Sequence, residues 1–196
     1  MIFKSIKDFM YWRDDTESLG LQEKKDIWMT SGGFDPLHIG HLRCIQDTVR
    51  LANDRHAYPV RMKPVVLVLV NCDKFLEKKK GYAFMPLEER MEIISGIKGV
   101  DYVVPWHMLE DDNTVQKAIE LIRPKVFTKG GDRVDESTIP EWGVCQSVGC
   151  KVLTGIGGEK IQSSSTLVEK ATDLEAIEVL GYAEGYNDAI RLPEKD

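Results

Sequence analysis

The uninterrupted run Val65-Val66-Leu67-Val68-Leu69-Val70 constrains the fold of this chain more than any other segment. Aliphatic, mostly β-branched residues with no polar alternation must be covered on both faces, as in a central strand of a parallel sheet. Parallel neighbours require crossover connections, and the flanking sequence supplies them as helical periods between short apolar runs. Ile27–Thr30, Tyr102–Val104, Val126–Thr128 and Lys151–Leu153 read as further strands, the second of these ended by Pro105. Leu42–Ala52, Leu87–Ile97, Val115–Ile122, Ile139–Val148 and Ser165 to about Leu180 read as helices. Pro86 stands where a helix begins and Pro124 where one must stop. Crossovers between parallel strands are right-handed, so the expectation is an α/β, Rossmann-like doubly wound sheet of five parallel strands in the order 3-2-1-4-5.

With 196 residues, one such core at 27–172 leaves an N-terminal extension at 1–26 and a C-terminal helical tail at 173–196. The first extension combines an amphipathic helix (Phe3, Ile6, Phe9, Met10) with a polar loop. The tail is acidic and amphipathic, and Tyr182–Ile190 extends or follows its helix. Packing on the core is expected of both ends, and a homodimer through either is the alternative. The net charge of -6 speaks against broad nucleic-acid binding. No apolar stretch approaches the ~18 residues of a membrane span. The start of the chain mixes Lys4, Asp8, Asp14 and Asp15 into its apolar residues, unlike a signal peptide. Cys44, Cys72, Cys145 and Cys150 show neither CxxC pairing nor zinc-ligand spacing. A cytoplasmic, reduced protein without a resident metal, a membrane or a nucleic-acid partner is the expectation.

The chemistry concentrates after the first strand, in Ser31-Gly32-Gly33-Phe34-Asp35-Pro36-Leu37-His38-Ile39-Gly40-His41. Gly32 and Gly33 allow the backbone to approach a phosphate, and the helix that follows offers free N–H groups and the positive end of its dipole. His38 and His41 are three residues apart and share one face of the first turn, with Gly40 leaving room between them. This geometry suits a triphosphate lying across the helix start, and Phe34 and Asp35 complete the nucleotide-binding loop.

His38-Ile39-Gly40-His41 resembles the HxGH signature of the nucleotidyltransferase superfamily, which includes cytidylyltransferases and adenylyltransferases. Class I aminoacyl-tRNA synthetases share that signature but are far longer. Four further segments extend the resemblance. Asn71-Cys72-Asp73 is similar to the N-x-D after the second strand of sugar-phosphate nucleotidyltransferases. Lys78-Lys79-Lys80-Gly81 followed by Met85-Pro86-Leu87-Glu88-Glu89-Arg90 is similar to their lysine-rich loop and P-L-E-x-R. Of these, Lys80 is expected to close over the triphosphate, and Arg90 either clamps a phosphate with paired N–H groups or pairs with a neighbour such as Glu88. Lys129-Gly130-Gly131-Asp132 follows the fourth strand, so it faces the histidine loop across the switch point. Lys129, Gly130 and Asp132 are expected at the nucleotide. Ser163-Ser164-Ser165-Thr166 opens the last core helix, where hydroxyls and free N–H groups hold β and γ phosphates or cap the helix. The serine run leaves this register open by one residue.

The motifs span about residues 27 to 170. They are closest to the heptose 1-phosphate adenylyltransferase and glycerol-3-phosphate cytidylyltransferase group. Gly157-Gly158-Glu159-Lys160 lacks the arginine usual in the cytidylyltransferases, which favours ATP over CTP. The segment Arg55–Lys63 and both chain ends depart from the group, and these bear on the acceptor. The resemblance implies transfer of a nucleoside monophosphate to a phosphorylated small molecule such as a sugar 1-phosphate, with pyrophosphate released and Mg²⁺ carried by the triphosphate. His38, His41, Lys80 and Arg90 would act on the phosphates. Glycerol phosphate with CTP, and nicotinamide or nicotinate mononucleotide with ATP, are alternative substrates, and a non-catalytic nucleotide-binding regulator is an alternative of another class.

Overall fold

In the computed structural model the described residues are 1–18, 20, 25–54, 64–107, 114–131 and 135–173. The strands are β1 (Asp26–Gly32), β2 (Pro64–Asn71), β3 (Tyr102–Trp106), β4 (Val126–Gly130) and β5 (Lys151–Ile156). They form one sheet in the order β3-β2-β1-β4-β5, all parallel. The helices are α1 (Ile6–Ser18), α2 (Ile39–Asn53), α3 (Asp73–Lys80), α4 (Leu87–Ser95), α5 (Gln116–Ile122) and α6 (Trp142–Ser147), and residues 164–173 are also helical (α7). The predicted order is therefore the observed one, and β2 is buried from Val65 to Asn71.

Burial on both faces explains that run. Leu67 and Leu69 join Met29, Phe127, Val104 and Ile119 on one face. Val68 and Val70 join Ile45, Met91 and Ile94 on the other. The cores on either side fix the sheet between helical layers, and the C-terminal ends of β1 and β4 diverge at the switch point.

Three expectations change. Pro105 does not end β3; it lies within it, opposite Val70. Val103 exchanges hydrogen bonds with the chain start, its N–H to Met1 O and its O from Phe3 N, both 3.0 Å. Pro105 shares that parity, so its missing N–H points to the outer edge, where β2 needs no donor. Second, Lys78, Lys79 and Lys80 are the last turn of α3, not a loop. Phe75 and Leu76 bury one side of this helix, Gly81 ends it in the left-handed region (φ 88°), and lysines suit the negative end of its dipole. Third, α6 covers less than the helix read over Ile139–Val148; a 3-10 turn at Glu136–Thr138, capped by Asp135, precedes it. The helical reading beyond residue 173, including Tyr182–Ile190, lies outside the described residues. The four cysteines carry free thiols.

The chain start is part of the core. Ile2 bridges Val103 in parallel. Phe3 and Phe9 pack edge-to-face at 5.2 Å, and Trp12 and Tyr102 close the aromatic group. Phe9, at 1% exposure, belongs to the cluster that holds Leu67 and Val104. Phe9→Ala is expected to lower stability by about 3–5 kcal/mol, read as a lower urea midpoint with an unchanged m-value.

Candidate active site

The loop after β1 is shaped from behind by two buried charges. Asp35 has no exposed surface, and its carboxylate accepts from the N–H groups of Phe84 (2.9 Å) and Met85 (2.7 Å). Lys80 Nζ donates to the Asp35 carbonyl at 2.7 Å and lies 3.7 Å from the carboxylate. Asp35 thus faces the protein interior, and the peptide to Pro36 is cis. Arg90 is likewise fully buried. It donates to the carbonyls of Met85 (2.9 Å), Gly33 (2.6 Å) and Asn71 (2.8 Å), and pairs with Asp73. Of the two readings of Arg90, the fold builds the pairing with a neighbour, and that neighbour is Asp73 rather than Glu88. Its guanidinium is turned to the three loop carbonyls, and it acts as a positioning residue. Asp35 holds the loop in the same way instead of facing a nucleotide.

In front of these supports lies a cavity of about 470 Å³ at the ends of β1, β2 and β4. A Cβ on Gly33 would sit 2.5 Å from Leu76 Cδ2, so any side chain there would force Leu76 to shift. His38 caps α2, its Nδ1 accepting from Gly40 N–H at 3.1 Å. A Cβ on Gly40 would fall 3.0 Å from His38 Cε1, so the glycine of the motif makes room for the imidazole itself. The rings of His38 and His41 stack at 3.8 Å, and Phe34 meets His41 edge-on at 5.2 Å. Both imidazoles titrate below the ordinary range. Burial lowers His38, with help from Lys80. Burial first, then His38 and Lys80, push His41 down to about 3. Both are neutral near pH 7. Because His38 Nδ1 is an acceptor, its proton sits on Nε2 as a donor.

The opposite wall comes from β4 and α6. Lys129 is buried, 3.4 Å from Ser31 Oγ and 3.4 Å from Glu141, and lies over the Phe127 ring. Gly130 and Gly131 continue that wall. Asp132 lies outside the described residues. At the start of α7 the open register resolves. Ser163 Oγ accepts from Thr166 N–H (3.2 Å) and meets Thr166 Oγ1 at 2.9 Å, as a cap does. Ser164 Oγ donates to Pro36 O at 3.1 Å, tying α7 to the histidine loop. Ser163 and Ser164 line the cavity with Gly32, Gly33, Phe34 and both histidines. Ser165 instead faces an adjoining open cleft beside Lys79, Lys80 and Tyr82, and the Thr166 hydroxyl is taken up in the cap.

One observation singles the cavity out. Among the described residues, the buried side-chain polar atoms without a hydrogen-bond partner are His41 Nδ1, Asn71 Oδ1 and Glu141 Oε2. The residues that carry them, His41, Asn71 and Glu141, all line the cavity. A buried polar atom left unpaired costs about 1–3 kcal/mol. The sequence assigned Asn71 only a resemblance and Glu141 nothing. An acid after Pro140 at a helix start reads as a dipole partner, and nothing local tells that it turns inward.

Known proteins agree with this architecture. The cytidylyltransferase-like family model matches residues 29–154. The chain belongs to this family. It is 32% identical over 148 residues to the bifunctional protein HldE of Hahella chejuensis, covering 74% of this chain and 25% of that protein. It is 34% identical over 134 residues to that of Haemophilus ducreyi, covering 67% and 23%. The chain thus spans about a quarter of the length of these relatives. The crystal structure of the lipopolysaccharide core biosynthesis protein from Thermoplasma volcanium GSS1 shares the fold, with a TM-score of 0.51 and 24% identity over 66% of this chain and 94% of that one. The cytidylyltransferase-like domain makes the chain a nucleotidyltransferase by family, as its motifs predict. No described helix is long and apolar enough to cross a membrane.

Two consequences are measurable. Arg90→Met strands three loop carbonyls, while Asp73, 38% exposed, keeps its water. A loss on the order of 3 kcal/mol is expected in urea unfolding. His41, neutral in the fold and with a pKa near 6.5 when unfolded, contributes stability that is complete above about pH 6.5 and is lost as pH falls toward 3. Between pH 7 and 4.5 wild type should lose on the order of 2 kcal/mol more than His41→Gln, measured by denaturant titration at each pH.

Proposed function

We propose that the protein transfers a nucleoside monophosphate, with AMP from ATP favoured, to the phosphate of a small molecule such as a sugar 1-phosphate, releasing pyrophosphate. The observation that carries this reading is the stacked, neutral histidine pair at the start of α2, in a cavity lined by the residues that carry the unpartnered atoms, His41, Asn71 and Glu141. The heptose-type motif Lys129-Gly130-Gly131 on the facing wall and the HldE relatives support a sugar phosphate as acceptor. The absence of an arginine before Ser163 supports ATP.

An acceptor phosphate oxygen attacks the α-phosphorus, a new P–O bond forms, and the bond to the β-phosphate oxygen breaks with its electron pair leaving on pyrophosphate. No covalent enzyme intermediate is required, so the protein contributes position and charge. His38 donates from Nε2 to an α-phosphate oxygen, and His41 adds a second donor beside it. Neutral imidazoles suit this role, since they donate without first losing a proton to the triphosphate. Lys80 is held by Asp35 beside the cavity and faces the charge that grows on the leaving group. Ser163, Ser164 and the first N–H groups of α7 hold the β and γ phosphates.

Among the described residues no group of three or more His, Cys, Asp or Glu side chains is placed to hold a metal ion. The cavity offers the carboxylates of Glu141 and Glu159, the first beside Lys129, and no oxygen cage. Mg²⁺ would accordingly be held by the triphosphate oxygens and neutralise their charge.

The test is pyrophosphate release with ATP and CTP crossed against a sugar 1-phosphate, glycerol 3-phosphate and nicotinamide mononucleotide. The expected outcome is turnover with ATP and a sugar phosphate. His41→Ala should lower kcat by about 100- to 1000-fold, and near-normal turnover in that variant would sink the assignment. Nucleotide binding without release under every pairing would make the protein a regulator.

A further inference from the structure

Glu141 is a charged residue of the cavity that no motif explains. It is 4% exposed and stands immediately before α6. Its Oε2 has no hydrogen-bond donor, although Lys129 Nζ lies 3.4 Å away. The lysine also reaches Ser31 Oγ and lies 4.6 Å from the Phe127 centroid. The pair therefore balances charge but leaves that acceptor without a donor, on a residue that lines the cavity.

The two ends of the cavity differ in charge. The β2–α3 end carries Lys79 and Lys80, with the single carboxylate of Asp35 behind them. The β4–α6 side carries Lys129 and Glu141, which cancel, and Gly130, Gly131, Gly157 and Gly158 line the cavity together with Glu159 and Lys160, again one charge of each sign. Phosphates belong where positive charge is in excess; a flat, uncharged group fits the glycine-walled, balanced end.

We propose that Glu141 determines nucleotide specificity, its carboxylate accepting a hydrogen bond from an N–H or O–H of the nucleoside half of the substrate. This rests on the reading of the cavity as a nucleoside triphosphate site. An ionised carboxylate only accepts, so it selects a ligand that brings a donor. The exocyclic amine of adenine and the hydroxyls of ribose are the two groups of ATP that qualify. A ligand lacking the donor leaves Glu141 Oε2 without a hydrogen bond, and such a lost partner is how a polar site discriminates.

Calorimetric Kd values for ATP, inosine triphosphate, 2′-deoxy-ATP and 3′-deoxy-ATP, on wild type, Glu141→Gln and Glu141→Asp, test this. Wild type is expected to bind one of the three analogues about 10-fold or more weaker than ATP. Inosine triphosphate being that analogue identifies the amine; a deoxy compound identifies its hydroxyl. Glu141→Gln should weaken ATP by a similar factor while leaving that analogue nearly unchanged, so the ratio collapses toward one. Should Glu141→Gln fail to fold, the same collapse is expected with the shorter reach of Glu141→Asp. Equal weakening of all four nucleotides in the variants, or equal binding of all four by wild type, would overturn the proposal. Because binding is read without turnover, these outcomes are separate from a failure of pyrophosphate release, which would count against the catalytic reading alone.

Discussion

The guanidinium of Arg90 is the joint on which the site depends. It binds carbonyls at the ends of β1 and β2 and in the loop before α4, and it pairs with the first residue of α3. Parallel strands end in loops whose carbonyls have no ladder partner, and where those loops are covered the protein must supply donors of its own. Arg90 supplies several from one planar group, as a lysine could not. Asp35 does the complementary task for N–H groups. Together they hold the glycine loop against α3, so that the histidines of α2 face an open crevice.

Electrostatics inside the crevice follow from that burial. The stacked imidazoles sit near Lys80, so desolvation and positive neighbours both keep them uncharged. The site then sets lysine charge beside neutral imidazoles, a combination suited to an anionic group.

Much of the fold was legible in the sequence because it rests on local patterns. Val65–Val70 reads as a buried parallel strand, and the strand–helix alternation around it points to a doubly wound sheet, for which 3-2-1-4-5 is a common order. The histidine loop was legible for the same reason, since Gly-Gly, His-x-x-His and a helix start act over ten residues. Helix α3 was not, because its two turns carry four lysines and only Phe75 and Leu76 in the core. Pro105 was misread as a stop, because the sequence does not say which edge of a strand lacks a partner. That edge was set by the first residues of the chain, a hundred positions away.

The strands, the helices between them and the glycine–histidine loop are written in neighbouring residues and are legible there. Which polar residues line the cavity is settled by contacts between distant segments. Arg90 and Asp35, read as ligand-binding, turn inward to satisfy backbone groups brought from distant strands. Glu141, which no local pattern marks, lines the cavity beside Lys129. The physical reason is that a buried polar group answers to whatever partner the fold places near it, and partners far along the chain have no local signature.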